Sequence, residues 1–332
     1  MKLTLAELRK RVSDENDAYL LLEELRWHGT PVCAHCGHDK AYFLTPKNGT
    51  SRGTGPKDAN GRRSQSVRRV YKCAKCRKQF SVLTNTIFHG TKVALSDWLT
   101  VMVLMASAKN GISAREVERL IGVTPETAWF MLHRLRESMK REPLVGMLRG
   151  VVVADETFIG GKPRNKHGGA RYGIGKTGPS DKIPVLSLVH RETGEVRSVV
   201  IPDVTGATLR KAIAEQVDMA NSELHTDSWG GYRQLGREFA AHETVDHSQA
   251  EYVRYDNGRV ITSNAAENFF SQLKRSLDGT HHHVSREHLG RYLAEFDFRY
   301  STRKLSDSAR LARMVDQADG RRLSYKPLTE RS

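Results

Sequence analysis

Three acidic residues in three distant stretches put the strongest constraint on how this chain can fold. Asp155 closes the apolar run Val151-Val152-Val153-Ala154, and Asp227 closes Leu224-His225-Thr226. Each run reads as a β-strand with an Asp at its end. Glu267 lies in Ala266-Glu267-Asn268-Phe269-Phe270, which reads as a helix with Lys274 and Arg275 two turns further on. Carboxylates converging from separate elements offer only oxygen ligands, and such sets suit hard divalent cations such as Mg²⁺ or Mn²⁺. Two such ions close together can activate a hydroxyl and stabilise a leaving oxygen in phosphoryl transfer. The chain is strongly basic, with 53 Lys and Arg against 38 Asp and Glu and a net charge of +15. That balance favours a polyanionic partner, so the phosphate is expected on a nucleic acid.

A second constraint comes from sulfur. All 4 cysteines fall into two pairs, Cys33-Ala34-His35-Cys36 and Cys73-Ala74-Lys75-Cys76. Two such knuckles predict one structural zinc site. Gly37 lets the backbone turn under the first pair. Tyr71 and Phe80 flank the second pair and can cover the metal. A helix is expected to start near Ser13-Asp14-Glu15-Asn16 and to carry Ala18, Leu20, Leu21, Leu22 and Leu25, and Trp27 is expected to pack on the cysteine module. The segment from Lys47 to Arg69 is rich in Gly, Ser, Arg and Lys. It reads as an exposed basic loop, either a DNA-backbone contact or a mobile insertion. No apolar run approaches the ~20 residues of a membrane span. Lys2, Glu7, Arg9, Lys10 and Arg11 break any signal-peptide pattern. The expectation is a cytoplasmic, nucleoid-associated protein whose paired cysteines hold metal rather than form disulfides.

Residues 93–141 read as helical. Ser113 and Glu116 form a capping box, and Pro125 stands at the first position of a further helix after Gly122-Val123-Thr124. The pattern fits a helix-turn-helix, and an ordinary helical hairpin has the same pattern. In the first reading Arg134 and Arg136 contact DNA. From Gly150 the pattern becomes α/β. Strands are expected at 151–154, 183–190 and 195–201, a helix at 207–220, and a strand at 223–226. A helix near 232–239, a strand near 243–246 and a helix at 264–277 complete it. The basic, Gly-rich stretch from Lys162 to Lys182 reads as a DNA-facing loop, and the tail beyond Thr302 as basic and weakly patterned. Glu156 follows Asp155 directly and so points to the opposite face of its strand. His281-His282-His283 reads either as a metal site or as part of a basic loop. His225 and His247 read either as core histidines or as neighbours of the metals.

This order of elements is ribonuclease-H-like, and the motifs make the likeness specific. They are the cysteine knuckles, Ala154-Asp155-Glu156-Thr157 with Gly160-Gly161, and Thr226-Asp227-Ser228. With them go Val245-Asp246-His247-Ser248, Asn264-Ala265-Ala266-Glu267, Leu273-Lys274-Arg275 and Phe296-Asp297-Phe298-Arg299-Tyr300. On these residues the chain resembles the DDE transposases of bacterial insertion sequences, in the zinc-ribbon insertion-sequence fifteen-ninety-five (ISXO-two-like) family, from about Cys33 to Arg303. The resemblance implies an α/β, ribonuclease-H-like (DDE integrase) catalytic domain preceded by a zinc ribbon and a helix-turn-helix region. The expected bounds are 1–90 for an N-terminal helix and the ribbon, 91–148 for the helix-turn-helix, 149–303 for catalysis and 304–332 for the tail. It implies two Mg²⁺ or Mn²⁺ ions, zinc on Cys33, Cys36, Cys73 and Cys76, cleavage at element ends, and strand transfer. The partners it implies are double-stranded DNA, as terminal inverted repeats and target, and further copies of the chain in a homodimer or higher oligomer, with no membrane. Asp155 and Asp227 match the first two catalytic positions. The third is Glu267 or Asn264, which lie one turn apart on one helix. Glu267 is favoured because Lys274, seven residues on, matches the family's Glu-Lys pair, where the Lys, with Arg275, holds DNA. The long insertion in the ribbon and Ser301, in place of the more usual Asn, depart from the family pattern. A metal-dependent nuclease without strand transfer, or a DNA-binding regulator derived from a transposase, are the alternative functions.

Overall fold

The computed structural model describes residues 3–44, 69–140, 146–160, 182–249, 251–256 and 258–325. The two basic loops expected from the sequence lie outside these residues, apart from Arg69 and Lys182. The chain divides into two compact units. One holds Met1–Ala108, Ala114–Ser138 and Leu305–Ser332, and the other holds Lys109–Ser113 and Met139–Lys304.

The first unit opens with α1 (Leu5–Arg11) and α2 (Glu15–Trp27). Asp14 caps α2 by accepting the Asp17 N–H at 2.9 Å, which satisfies one of the donors a helix start leaves free. Ala18, Leu21, Leu22 and Leu25 put its apolar stripe inside. Three short antiparallel strands follow: β1 (Ala41–Phe43), β2 (Tyr71–Cys73) and β3 (Gln79–Phe80). The Tyr71 hydroxyl and Arg69 Nε donate to the two oxygens of Glu23, each at 2.9 Å, and so tie the sheet to α2. Helices α3 (Leu95–Ser107), α4 (Ala114–Ile121) and α5 (Pro125–Met139) complete this stretch. Pro125 opens α5 as expected.

The second unit is built on a five-stranded sheet. Its strands are β4 (Leu148–Ile159), β5 (Ile183–His190), β6 (Val196–Val200), β7 (Val217–Asp227) and β8 (Ala241–Val245), in the order β6-β5-β4-β7-β8. The pairs β6-β5 and β5-β4 are antiparallel, whereas β4-β7 and β7-β8 are parallel. Helix α6 (Gly206–Ala214) crosses between β6 and β7. A small hairpin, β9 (Arg254–Asp256) and β10 (Arg259–Ile261), precedes α7 (Asn264–Ser276) and α8 (Arg286–Ser301). Side chains alternate across the sheet, as the period of a strand requires. Val153, Val185 and Val189 pack with Phe269, Leu273, Leu293 and Phe296 of α7 and α8. Val152, Ala154, Leu186 and Leu188 pack on the opposite face with Leu209 and Ile213 of α6 and with Tyr232.

Five details differ from the expectation. Strand β4 runs on through Asp155 to Ile159, because these residues keep pairing with β5, so Asp155 lies inside the strand rather than at its end. Helix α6 ends at Ala214 rather than near residue 220, because the next residues join the sheet: the Leu148 N–H donates to the Gln216 carbonyl at 2.8 Å and Val217 pairs with Leu148. Residues 232–239 form two short 3₁₀ turns, Gly230–Tyr232 and Leu235–Glu238, in place of a helix. The β9-β10 hairpin is additional. The tail carries α9 (Asp307–Asp316), whose Leu311, Met314 and Val315 are buried. It belongs to the first unit, which also takes in the ribbon and most of the helical block, so these expected domains cluster together.

Candidate active site

The sheet register explains how the first two acids meet. Val153 of β4 is paired with His225 of the parallel neighbour β7. Asp155 and Asp227 each stand two residues further on, so both fall on the face covered by α7. Glu267 lies in the first turn of α7. Ala266, Phe269, Phe270 and Leu273 anchor that helix in the core, while Glu267, Lys274 and Arg275 stay exposed. Asn264 opens the helix and is also exposed, and its backbone N–H donates to Thr262 Oγ1 at 3.1 Å.

The electrostatics record the same juxtaposition. Burial pushes the Asp155 carboxyl up to about 6, and the negative charges of Asp227 and Glu267 push in the same direction. The Glu156 N–H, 2.7 Å from Asp155 Oδ1, and the His247 charge oppose the rise. His247 Nε2 lies 3.2 Å from Glu267 Oε1 and 2.8 Å from Ser263 Oγ, so the loop after β8 supports the acid on α7. His225, in contrast, is buried and pairs with Glu223 at 2.9 Å. Glu156 points to the other face as expected. There it accepts a hydrogen bond from the Tyr232 hydroxyl, and burial, then the Asp155 and Asp227 charges, push it up to about 7. Tyr232 was not singled out in the sequence; a Tyr after two glycines carries no such signal.

Among the described residues, the acids form no cluster of three or more groups close enough to hold a metal ion as they stand. The thiols are closer. The ligand atoms of Cys33, Cys36, Cys73 and Cys76 do all lie within 4.8 Å of one another. The Sγ atoms of Cys33 and Cys76, and of Cys36 and Cys73, are 3.6 Å apart. Four thiolates ~2.3 Å from a tetrahedral zinc stand ~3.8 Å from one another, so the quartet fits a structural Zn²⁺. Gly37 turns the chain at φ +70°, a conformation that L side chains rarely adopt. Trp27 meets Tyr71 and Phe80 edge-on, at 5.3 and 5.9 Å between ring centroids, and packs on the module as expected.

The expectation for Arg134 and Arg136 needs correction. Both are buried, at 4% and 1% exposure. The Arg134 guanidinium donates to the His89 carbonyl and lies over the Trp98 and Phe130 rings. Met131, Leu132 and Leu135 are buried too, so this stretch of α5 is core rather than a surface offered to DNA. The histidine run also has a structural member, since the His281 ring packs against Tyr292 and Phe296 at 4.9 and 6.1 Å.

Comparison with known proteins agrees with both modules. A model described as the ISXO2-like transposase domain matches residues 147–301, and one described as the transposase zinc-ribbon domain matches residues 13–79. An "uncharacterized protein in transposable element ISH50" of Halobacterium salinarum is 26% identical over 300 residues, covering 87% of this chain and 92% of that protein. The solved structure of a simian T-cell lymphotropic virus intasome, in complex with a PP2A regulatory subunit, matches at 16% identity. It covers 57% of this chain and 65% of its own, and its TM-score of 0.27 carries no argument. The two family models account for the cysteine module and for the sheet that carries Asp155 and Asp227, and the chain carries the zinc-ribbon and ISXO2-like transposase domains that mark a transposase of an insertion sequence.

Proposed function

We propose that the chain is a divalent-metal-dependent DNA transposase, with a ribonuclease-H-like second unit whose Asp155, Asp227 and Glu267 hold two Mg²⁺ or Mn²⁺ ions. One observation carries the reading: Asp155 within β4 and Asp227 at the end of the adjacent parallel strand β7 share a face with a third acid on the helix that covers it. A bound ion pair supplies Lewis-acid activation of an attacking hydroxyl and charge stabilisation of the leaving oxygen. The chain's own residues do the rest. His247 and Ser263 orient the Glu267 carboxylate. Lys274 and Arg275, exposed two turns along α7, hold the DNA backbone beside it. Hydrolysis at an element end frees a 3′-hydroxyl, which then attacks target DNA. Both steps are in-line displacements and need no covalent enzyme intermediate. Several copies of the chain assemble on the inverted repeats so that both ends are cut and joined together.

The test is an end-cleavage and joining assay with Mg²⁺ and labelled DNA carrying the element's ends. Asp155→Asn and Asp227→Asn should abolish both products and leave DNA binding nearly intact. Glu267→Gln should be similarly inactive, whereas Asn264→Ala should retain activity. The reverse outcome for that last pair would make Asn264 the third ligand. Cleavage without joined products would reduce the protein to a nuclease.

A further inference from the structure

Two large aromatic side chains stand exposed at the edge of the acidic site. Trp229 is 42% exposed and Tyr252 is 54% exposed. Single exposed rings on a surface need no explanation. These two differ because each is seated by the site itself. The Trp229 N–H donates to Asp227 Oδ1 at 3.1 Å. The indole lies across Gly231, where an added Cβ would meet the far edge of the ring and displace it. Its edge meets the Tyr232 ring at 6.0 Å, and Tyr232 is held in turn by Glu156. Tyr252 packs against the His247 imidazole at 5.2 Å between ring centroids, and His247 touches Glu267. The two loops are tied together. Ser228 Oγ donates to Asp246 Oδ1 at 3.4 Å, and the Asp246 N–H donates to Glu251 Oε2 at 3.1 Å. One ring is therefore fixed beside the second acid and the other beside the third.

The occupant follows from the chemistry around them. The loops that carry the rings are joined through the polar side chains of Ser228, Asp246 and Glu251, and not through the continuous apolar patch that a protein partner would cover. The chain has a net charge of +15, and Lys274 and Arg275 are exposed on the helix that carries Glu267. A nucleic acid brings phosphate for the charges and a π-face for each ring. In a duplex those faces are already stacked on neighbouring bases, and only a base drawn out of the stack offers one. We propose that Trp229 and Tyr252 stack on unpaired bases next to the scissile phosphate, so that the DNA is opened locally where it is cut. The inference rests on the transposase reading and adds to it the state of the substrate: a melted junction rather than an intact duplex.

The test compares element ends that are fully paired with ends mismatched at the nucleotides flanking the cut, using the full chain. With Ca²⁺ in place of Mg²⁺, wild-type protein should make flanking thymines reactive to permanganate, and Trp229→Ala should abolish that reactivity. With Mg²⁺, Trp229→Ala should cleave the paired end roughly 10-fold more slowly or worse, as loss of one base–aromatic stack does. The mismatched end should recover most of the lost rate, and Trp229→Phe should behave almost as wild type. Tyr252→Ala should show the same pattern. The proposal is wrong if Trp229→Ala cleaves paired ends as fast as wild type. It is equally wrong if the variant loses the same factor on both substrates, which is the mark of damaged folding. Wild-type protein that cuts neither end would overturn the transposase reading itself, and Asp155→Asn, inactive on both, is the control for chemistry.

Discussion

Asp155 is pulled in two directions. Its site gathers negative charge, and that charge works against the folded protein wherever no cation balances it. The folded carboxyl titrates near 6 against an ordinary value of 3.8, with burial as the main cause. A raised folded pKa means the native state binds the proton more tightly than the unfolded chain does. The associated stability is present below about pH 4 and is lost as the pH rises through about 6. Metal-free Asp155→Asn should therefore melt at a higher temperature than metal-free wild type at pH 7.5. The gap should close by pH 4, as thermal unfolding followed by circular dichroism would record. Arg134 illustrates the opposite error of reading. Burial brings it down to about 10, so it remains charged at neutral pH inside the first unit. Arg134→Ala removes a hydrogen bond to a carbonyl and two ring contacts, and should cost on the order of 2 kcal/mol. Thermal melting should reveal that loss, while DNA affinity of the folded variant stays near wild type.

At the scale of elements, α8 protects an exposed flank of the sheet. Strand β6 is the outermost strand next to β5, and an open edge invites pairing with other chains. Asp297 accepts the Ser198 N–H at 2.7 Å and the Ser198 hydroxyl at 2.6 Å, while Ser301 Oγ accepts the Val196 N–H at 2.9 Å. The serine that departs from the family pattern thus occupies one of the edge donors. Asp297→Ala should cost about 1–3 kcal/mol, the penalty of an unsatisfied buried polar group, and should speed hydrogen exchange at the Ser198 amide. The thiol quartet sets the order of the ribbon in the same local way. Cys73→Ser should release zinc, measured by elemental analysis, and should loosen Trp27 and Tyr71, measured by tryptophan fluorescence. Much of this was legible in the sequence because the period was unambiguous. Ala266, Phe269, Phe270 and Leu273 mark one face of α7, and the apolar run before Asp155 marks a central strand. The end of α6 was not legible, because an Ala-rich run with good helix propensity is overridden by sheet pairing at Val217. Nor was the burial of Arg134 and Arg136. Basic residues on an amphipathic helix look the same whether water or another part of the chain lies over them. The stripe of Leu311, Met314 and Val315 was readable in principle, but the charges around it gave the tail the look of a polar extension.

On the scale of the whole molecule, charge and chain path matter most. A net charge of +15 predicts DNA binding that weakens steeply with salt, since each phosphate neutralised releases counterions. The chain path has a less obvious effect. It leaves the first unit after Ser138, builds the sheet and its helices, and returns at Leu305 to place α9. Ser308 Oγ there accepts the Leu3 N–H at 2.6 Å, Arg310 Nη1 donates to the Ala106 carbonyl at 3.0 Å, and Asp319 pairs with Arg26. During translation, then, the cysteine-bearing unit starts before the sheet and receives α9 after it. The residues of the five-stranded sheet are all made before the helix that closes the cysteine-bearing unit leaves the ribosome. A message cut short after Lys304 would give a chain able to build its acidic site while the cysteine-bearing unit still lacks α9 and the contacts that it makes with Leu3, Ala106 and Arg26.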